Sequence, residues 1–219
     1  MSPRQVRVLF TRLSAVARPR ELEAYGRALP EPLRRRHDRY RRDCDRRAGI
    51  LGKWLVAEAL SDLGYTGAFL EHFHYDAVGR PAVSGLAGVD ISISHSEDLV
   101  VCAAARAARV GVDVEFVRAV PLDDFRDVFP PAVWEGIPGD PQPLREFYRC
   151  WTRLEAVAKG EGFGLGGPVR AIALEGDTAR YGGRRWVLSE LTLEPDYACH
   201  LAVAEAPAPI TLEERFFDG

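Results

Sequence analysis

Two acidic residues alternate with valine in the short segment Gly111-Val112-Asp113-Val114-Glu115. This alternation predicts a β-strand with Asp113 and Glu115 on the same face. Two neighbouring carboxylates repel each other unless a cation lies between them. Mg²⁺ typically takes one or two carboxylates and completes its shell with water and phosphate oxygens. The segment therefore indicates a divalent metal and a phosphate-bearing ligand, although by itself it also fits the solvated face of an amphipathic edge strand.

A second group of chemically active residues lies on a predicted helix. Trp151, Glu155 and Lys159 recur every four residues, which aligns them along one ridge and puts an acid and a base on one face. The alternative is a helix-stabilising Glu155–Lys159 pair with Trp151 in the core. Lys159 precedes the glycine-rich run 160–164, which can fold around a ligand. This run closes a helix and lacks a Gly-Lys-Ser/Thr sequence, so we reject a nucleotide-binding loop.

The segment Ser94-His95-Ser96 brings two hydroxyl groups and an imidazole to the end of a predicted strand. Such a corner can hold phosphate, and a polar turn is the alternative. A hydrolytic Ser-His pair is a third interpretation, but neighbouring strand residues point to opposite faces and the chain has no G-x-S-x-G sequence. The segment Gly79-Arg80-Pro81 is an ordinary turn when taken alone.

Hydrophobic spacing predicts the elements that must position these residues. Strands are expected at 6–10, 91–94, 99–105, 110–115, 185–188 and 199–203, with a short hairpin connection at 106–109. Helices are expected at 20–28 and at 143–159, where Gly160 should end the helix. The stretch from Pro32 through the apolar residues 48–63 is expected to form one long amphipathic helix or two in sequence. Helices and strands mix without a regular βαβ alternation, so the sequence predicts an α+β fold.

The composition is that of a globular chain, because 219 residues that are 47% hydrophobic can bury a substantial core. No apolar run approaches the roughly 18 residues needed to cross a bilayer, and the arginine-rich N-terminus lacks the apolar core of a secretory signal. We therefore expect a cytoplasmic protein with no membrane partner. The four cysteines include no C-x-x-C pair, which predicts buried thiols rather than a zinc site or a disulfide framework.

Positive charge is concentrated in residues 34–47, the basic cluster, which holds eight arginines and three aspartates in a chain of net charge −3. Such a cluster is typical of a solvated helix face, a nucleic-acid surface, or a binding site for a polyanionic small molecule or an acidic protein. The negative overall charge and the absence of a stacking motif argue against a nucleic-acid partner.

Taken together and in this order, five segments resemble the phosphopantetheinyl transferase superfamily, specifically its Sfp-type enzymes. They are Gly79-Arg80-Pro81, residues 91–96, residues 111–115, Trp151-Thr152-Arg153-Leu154-Glu155-Ala156 with Lys159, and Gly162-Phe163-Gly164-Leu165. Each segment is weak evidence alone, whereas the ordered set is specific and spans most of the chain.

The resemblance implies a pseudo-dimer of two similar α+β halves, residues 1–106 and 107–219, with the active site in the cleft between them. It implies an enzyme that moves the 4'-phosphopantetheine arm of coenzyme A onto a serine of an acyl or peptidyl carrier protein and releases 3',5'-adenosine bisphosphate. Bound Mg²⁺ would neutralise charge on the attacked phosphoryl group. We expect a monomer that acts in fatty-acid, polyketide or nonribosomal peptide synthesis.

The resemblance also assigns roles to residues. Asp113, Glu115 and Glu155 would bind the metal, and Glu155 would deprotonate the incoming serine, directly or through water. Lys159 and His95 would hold pyrophosphate oxygens as further catalytic residues.

Other residues would hold the adenosine end of coenzyme A. Ser94 and Arg80 would contact the 3'-phosphate end. The basic cluster lies where the family binds that phosphate, and it would also suit an acidic carrier protein.

Three positions depart from the family's pattern. Leu154 stands where a lysine usually precedes the helix glutamate, and Val133 stands where many members have a further acidic metal ligand. Ala48 replaces an arginine that usually lies four residues before a helix glycine, which leaves Arg46 or Arg47 as substitutes in coenzyme A binding. These departures motivate a hypothesis of a different class, in which a repurposed or inactive homologue binds coenzyme A or a carrier protein without transfer.

Overall fold

The computed structural model describes residues 4–16, 19–163 and 167–217. Within these residues the α-helices are α1 Pro19–Ala28, α2 Glu31–His37, α3 Asp43–Asp62, α4 Pro131–Trp134 and α5 Pro143–Glu161. The strands are β1 Gln5–Arg12, β2 Phe73–Tyr75, β3 Pro81–Val83, β4 Val89–Ser96, β5 Leu99–Arg106, β6 Val110–Phe116, β7 Ala173–Glu175, β8 Thr178–Tyr181, β9 Arg184–Glu190, β10 Tyr197–Ala204 and β11 Ile210–Glu214.

One sheet has the strand order β11, β1, β5, β4. β5 pairs antiparallel with β1 and β4, and β1 pairs parallel with β11. All of β5 except its last residue is buried, as its unbroken apolar sequence requires when both faces of a strand are covered. α3 packs against this sheet at Gly52, where an added Cβ would lie 3.0 Å from Cγ2 of Ile93.

The second sheet has the strand order β6, β10, β9, β8, β7, and its paired strands are antiparallel. α5 packs across β6 and β10. The helix approaches β6 most closely at Gly111, where an added Cβ would overlap the carbonyl oxygen of Ala156. Glycine at this position therefore brings the backbone of α5 directly against β6.

Hydrophobic side chains form three layers of core. One layer lies between α3 and the first sheet, and another lies between α5 and the second sheet. The third joins the two sheets through side chains that include Val8, Val101, Val112 and Leu201. The mixed α+β class is thereby confirmed. The pseudo-dimer and the boundary at residue 106 stay predictions, and β11 lies in the same sheet as β1.

The hairpin predicted at 106–109 is wrong. β5 and β6 belong to different sheets, because β1 and β4 already occupy both edges of β5. Between the strands, Ala107 has a φ of +56° and its amide donates to the carbonyl oxygen of Gly88 at 2.7 Å. The short connection therefore carries the chain from the first sheet to the second.

The predicted end of α5 is also wrong. The helix continues through Gly160 and ends before Gly162, whose φ of +95° is the left-handed conformation that glycine adopts at a helix C-terminus. Gly160 serves packing, because an added Cβ there would overlap the ring of Trp186. Gly160 is therefore required by a close contact, and Gly162 is the glycine that ends the helix.

The thiol predictions are confirmed. Cys102, Cys150 and Cys199 are buried free thiols, and Cys44 is a partly buried free thiol. None of the helices in the described residues combines the length and the apolar character that a membrane crossing requires.

Candidate active site

Three serines of β4 attach this strand to β6. The hydroxyl oxygens of Ser92, Ser94 and Ser96 accept hydrogen bonds from the amides of Val112, Val114 and Phe116, at 3.1, 3.4 and 3.1 Å. Each serine and its partner lie 20 residues apart, so β4 and β6 run parallel; each such serine–amide pair is called a rung. These three serines, the serine ladder, supply the acceptors that carbonyl groups supply in an ordinary sheet. The ladder joins the two sheets at the candidate site.

Asp113 lies at the middle rung of the ladder and is only 3% exposed. Its Oδ1 accepts hydrogen bonds from the Ser94 hydroxyl at 2.8 Å and from Lys159 Nζ at 2.6 Å. Its Oδ2 is buried and has no hydrogen-bond partner among the described residues. A buried carboxylate oxygen without a partner is costly, so this atom is suited to an additional cation. The solvated edge-strand interpretation is therefore wrong for Asp113.

Glu155 and Lys159 project from α5 towards β6. They lie one turn apart on a single face, and the close approach of the helix at Gly111 brings that face to the serine ladder. Lys159 Nζ contacts the Ser94 hydroxyl at 2.6 Å and forms its ion pair with Asp113 rather than with Glu155.

The environment of Glu155 favours its protonated form. Glu155 is 3% exposed, and burial, followed by the negative charge of Asp113, raises its pKa to about 7. The carboxyl group can therefore take up or release a proton near neutral pH. Trp151, one turn earlier on α5, packs against Phe125 and Phe129, so it belongs to the core.

Glu115 lies at the last rung and is partly buried. Its Oε2 accepts a hydrogen bond from the Ser96 hydroxyl at 2.9 Å, while desolvation and then the charge of Asp113 raise its pKa. No group of three or more His, Cys, Asp and Glu side chains in the described ranges forms a ready-made metal cage. Mg²⁺ binds through one or two carboxylates together with water and phosphate. Asp113 and Glu115 supply that number of carboxylates.

Arg80 shares a cavity of about 260 Å³ with Glu155 and Lys159. Its guanidinium group forms an ion pair with Asp90 at 2.5 Å and donates to the carbonyl oxygen of Val110 at 2.7 Å. These two bonds hold Arg80 between β4 and the start of β6. The structure therefore brings Arg80 to the same cavity as the two α5 residues.

His95 lies at the end of β4 and is exposed. Desolvation by its surroundings lowers its pKa, Lys159 and Lys53 act in the same direction, and Asp45 opposes them. The imidazole is thus flanked by two lysines, one from each sheet's main helix.

Lys53 is a residue of this region that the sequence motifs missed. It lies on α3, is 3% exposed, and places its ammonium group over the rings of Phe73 and Tyr75 at 5.4 and 5.3 Å. Burial, with a contribution from Arg36, lowers its pKa to about 7. The composition gives one signal for this residue. Lys53 and Lys159 are the only lysines in the sequence, and the other 27 of its 29 basic residues are arginines.

The sequence of the second sheet and α5 is similar to a known family. Residues 109–206 match the family model described as the 4'-phosphopantetheinyl transferase superfamily. This part of the chain is therefore similar to that superfamily. The matched residues include Asp113, Glu115, Glu155 and Lys159, so the similarity covers the segment that carries the carboxylates.

Curated relatives bear phosphopantetheinyl transferase names. The 4'-phosphopantetheinyl transferase HetI of Nostoc sp. is 30% identical over 61% of this chain and 60% of its own length. The transferase AcpT of Salmonella typhimurium is 30% identical over 53% of this chain and 59% of its own. The transferase psf-1 of Bacillus pumilus is 26% identical over 58% of this chain and 55% of its own. The matches therefore cover less than two thirds of these relatives.

The positions that depart from the phosphopantetheinyl transferase pattern are packed into the protein. Leu154 is fully buried beside α5's other core residues, and Ala48 is 1% exposed on α3. Val133 is partly buried on α4 and packs against the core of the second sheet. At these three positions the chain thus has apolar packing instead of charged side chains.

The proposed arginine substitutes lie in the first turn of α3. Arg46 forms an ion pair with Asp43 at 2.7 Å and lines a separate cavity of about 230 Å³ with His37 and other residues. Arg47 donates to the carbonyl oxygen of Leu13 at 3.1 Å. Neither arginine lines the cavity of Glu155 and Lys159. The family-like residues Gly164 and Leu165 fall outside the described residues.

Proposed function

We propose that the chain is a Mg²⁺-dependent, Sfp-type 4'-phosphopantetheinyl transferase that modifies a serine of an acyl or peptidyl carrier protein with the arm of coenzyme A. One observation carries this proposal. Asp113, Lys159 and the Ser94 hydroxyl form a hydrogen-bonded network that leaves the buried Asp113 Oδ2 with no partner among the residues that the structure describes. Asp113 and Lys159 lie within the segment that matches the superfamily. Such a network can bind a cation and an anionic phosphate side by side.

The metal would be held by Asp113, Glu115 and Glu155. When bound, Mg²⁺ would supply positive charge that neutralises the pyrophosphate and the phosphoryl group under attack. The unpartnered oxygen of Asp113 supports this assignment, because that carboxylate already satisfies Lys159 and Ser94 through its other oxygen.

Four side chains of this chain would position coenzyme A. Lys159 and His95 would bind pyrophosphate oxygens, since an ammonium group and an imidazole can both donate hydrogen bonds to them. Ser94 and Arg80 would contact the adenosine 3'-phosphate end. The preorganised contacts of Lys159 and Arg80 support these roles, because fixed donors stabilise charge without having to reorganise during the reaction.

Glu155 would accept the proton of the incoming serine, directly or through a water molecule. Its place one helical turn from Lys159 puts a proton acceptor beside the group that binds the pyrophosphate. The serine oxygen would then attack the phosphorus atom that bears the pantetheine arm, and 3',5'-adenosine bisphosphate would leave.

The basic cluster would receive the carrier protein. Six of its arginines, at positions 34, 35, 36, 39, 41 and 42, are exposed, and Arg36 lies over the ring of Tyr75 at 3.9 Å. A surface of this charge would attract an acidic carrier and orient it during encounter. The two sheets, each with its own long helix, support the proposed pseudo-dimer with a cleft between residues 1–106 and 107–219.

The test uses the purified full chain with coenzyme A, Mg²⁺ and a panel of apo acyl and peptidyl carrier proteins. Mass spectrometry of each carrier should show the mass gain of the transferred arm. Glu155→Gln serves as the control and should give no gain, since it keeps the side-chain shape but removes the proton acceptor. A folded wild-type chain that modifies no carrier in the panel would contradict the proposal.

A second candidate is a homologue that binds coenzyme A or a carrier protein without transfer. The apolar packing of Leu154 and Ala48 favours it, because these positions supply no cation for phosphate. Calorimetry that shows tight coenzyme A binding with no modified carrier would support this candidate.

A further inference from the structure

The protons of the serine ladder have fixed directions. A serine hydroxyl has one proton to donate and accepts through its lone pairs. Ser96 accepts from the amide of Phe116, so its proton is free to go to Glu115 Oε2, 2.9 Å away. Ser94 likewise accepts from Val114 and donates to Asp113. Each of these two rungs therefore joins the sheets and also binds a carboxylate.

The first rung, formed by Ser92, joins β4 to β6 but holds no carboxylate. Ser92 accepts from the amide of Val112 at 3.1 Å, and the residue before this amide is Gly111, which carries no carboxylate. The corresponding residues at the other rungs are Asp113 and Glu115. Ser92 can therefore serve as a control, because it joins the two strands as Ser94 and Ser96 do but binds no carboxylate.

Glu115 depends on its rung more than Asp113 does. Asp113 accepts hydrogen bonds from both Ser94 and Lys159, whereas Glu115 accepts its hydrogen bond from Ser96. Glu115 is longer and partly exposed, and the charge of Asp113 repels it. Without the Ser96 hydroxyl, the carboxylate would be free to turn away from Asp113.

We propose that Ser96 is a positioning residue that holds Glu115 beside Asp113 for divalent-metal binding. This inference rests on the proposed function, and it gives the serine ladder a role in the site besides joining the two sheets. Hydrogen-bond partners that orient metal ligands typically change metal affinity 10- to 100-fold when they are removed. Ser96 thereby couples the first sheet to the metal-binding face of the second.

The experiment measures Mn²⁺ binding to the full chain by electron paramagnetic resonance, with and without coenzyme A. Ser96→Thr and Ser96→Val form a matched pair of nearly equal shape, of which only the threonine variant keeps a hydroxyl group. Ser92→Thr and Ser92→Val repeat the pair at the rung without a carboxylate. Thermal unfolding of all four variants reports on the joining function separately from metal binding.

We expect Ser96→Val to weaken Mn²⁺ binding at least about tenfold relative to Ser96→Thr. The Ser92 pair should differ less than about threefold in Mn²⁺ affinity. Equal affinity in the two Ser96 variants, or equal losses at Ser92 and Ser96, would overturn the positioning role. A wild-type chain that binds no Mn²⁺ in either condition would instead overturn the metal site of the proposed function.

Discussion

Lys53 should make the stability of this protein depend on pH in the alkaline range. The side chain is 3% exposed, and its pKa falls from 10.5 to about 7 in the folded protein. Between these two values the unfolded chain binds more protons at Lys53 than the folded chain does. The free energy of unfolding therefore rises with pH over this window, and this stabilisation is lost as pH falls towards 7.

The structure gives the size of the effect. The gap between 10.5 and about 7 corresponds to roughly 5 kcal/mol over the whole window. Between pH 7 and pH 9, the part that is easily measured, the change should be about 2 kcal/mol. Solvent screens this charge little, because Lys53 is nearly completely buried.

The perturbations are Lys53→Met, which removes the titrating group, and Lys53→Arg, which keeps a charge that does not titrate in this range. Urea unfolding followed by tryptophan fluorescence at pH 7, 8 and 9 gives each free energy. The wild type should gain about 2 kcal/mol relative to both variants from pH 7 to 9. Other titrating groups are shared by the three proteins and cancel in these differences.

A difference in unfolding free energy between wild type and Lys53→Met that stays constant from pH 7 to 9 would contradict the lowered pKa of Lys53. It would mean that the ammonium group is better solvated or better paired than its position over Phe73 and Tyr75 indicates. If the free energy of unfolding of the wild type rises with pH relative to Lys53→Met but not relative to Lys53→Arg, the titration of Lys53 is likewise contradicted. Neither variant has a group at position 53 that titrates in this range.

Three further predictions concern the site and its supports. Glu155→Gln should lower the rate of carrier modification at least about 100-fold, since an amide cannot accept the serine proton, and an unchanged rate would exclude Glu155 as the base. Gly111→Ala should lower the free energy of unfolding by about 2 kcal/mol or more, because its methyl group would meet the backbone of α5. Gly139→Ala, where an added Cβ meets nothing within 4 Å, is its control, and equal urea midpoints for the two variants would contradict the close contact. Thr152→Val should cost about 1 to 3 kcal/mol, because it removes the 2.8 Å partner of Nδ1 in buried His200, and a wild-type unfolding midpoint would show that this bond contributes nothing.

The elements around the site could be predicted from local sequence. Alternation in 91–94 and 110–115 and the apolar run 99–105 were enough to predict β4, β6 and β5, because strand periodicity reports which face of one element is buried. Four-residue spacing predicted α5 for the same reason. The ends of the helices were harder to predict. A glycine after a helical stretch usually indicates the end of the helix, but Gly160 lies within α5 and leaves room for the ring of Trp186.

Sheet membership could not be predicted in the same way. The short connection at 106–109 favours a hairpin when only β5 and β6 are considered. β1, almost 90 residues earlier in the chain, occupies the edge of β5 that such a hairpin would need. Pairing of distant strands depends on which edges remain available after the whole sheet has formed.

By itself the sequence determined the chemistry available to this protein: carboxylates on alternate positions of a strand, an acid and a base on one helix face, and an ordered set of segments resembling one family. Only the tertiary structure decided how these groups meet. It aligned Ser92, Ser94 and Ser96 with β6 and buried Lys53 against two aromatic rings. It also left Asp113 Oδ2 with no hydrogen-bond partner in the part of the chain that the structure describes. The physical reason is that periodicity describes one element at a time, whereas hydrogen-bond satisfaction and desolvation depend on side chains that are distant in sequence and adjacent in space.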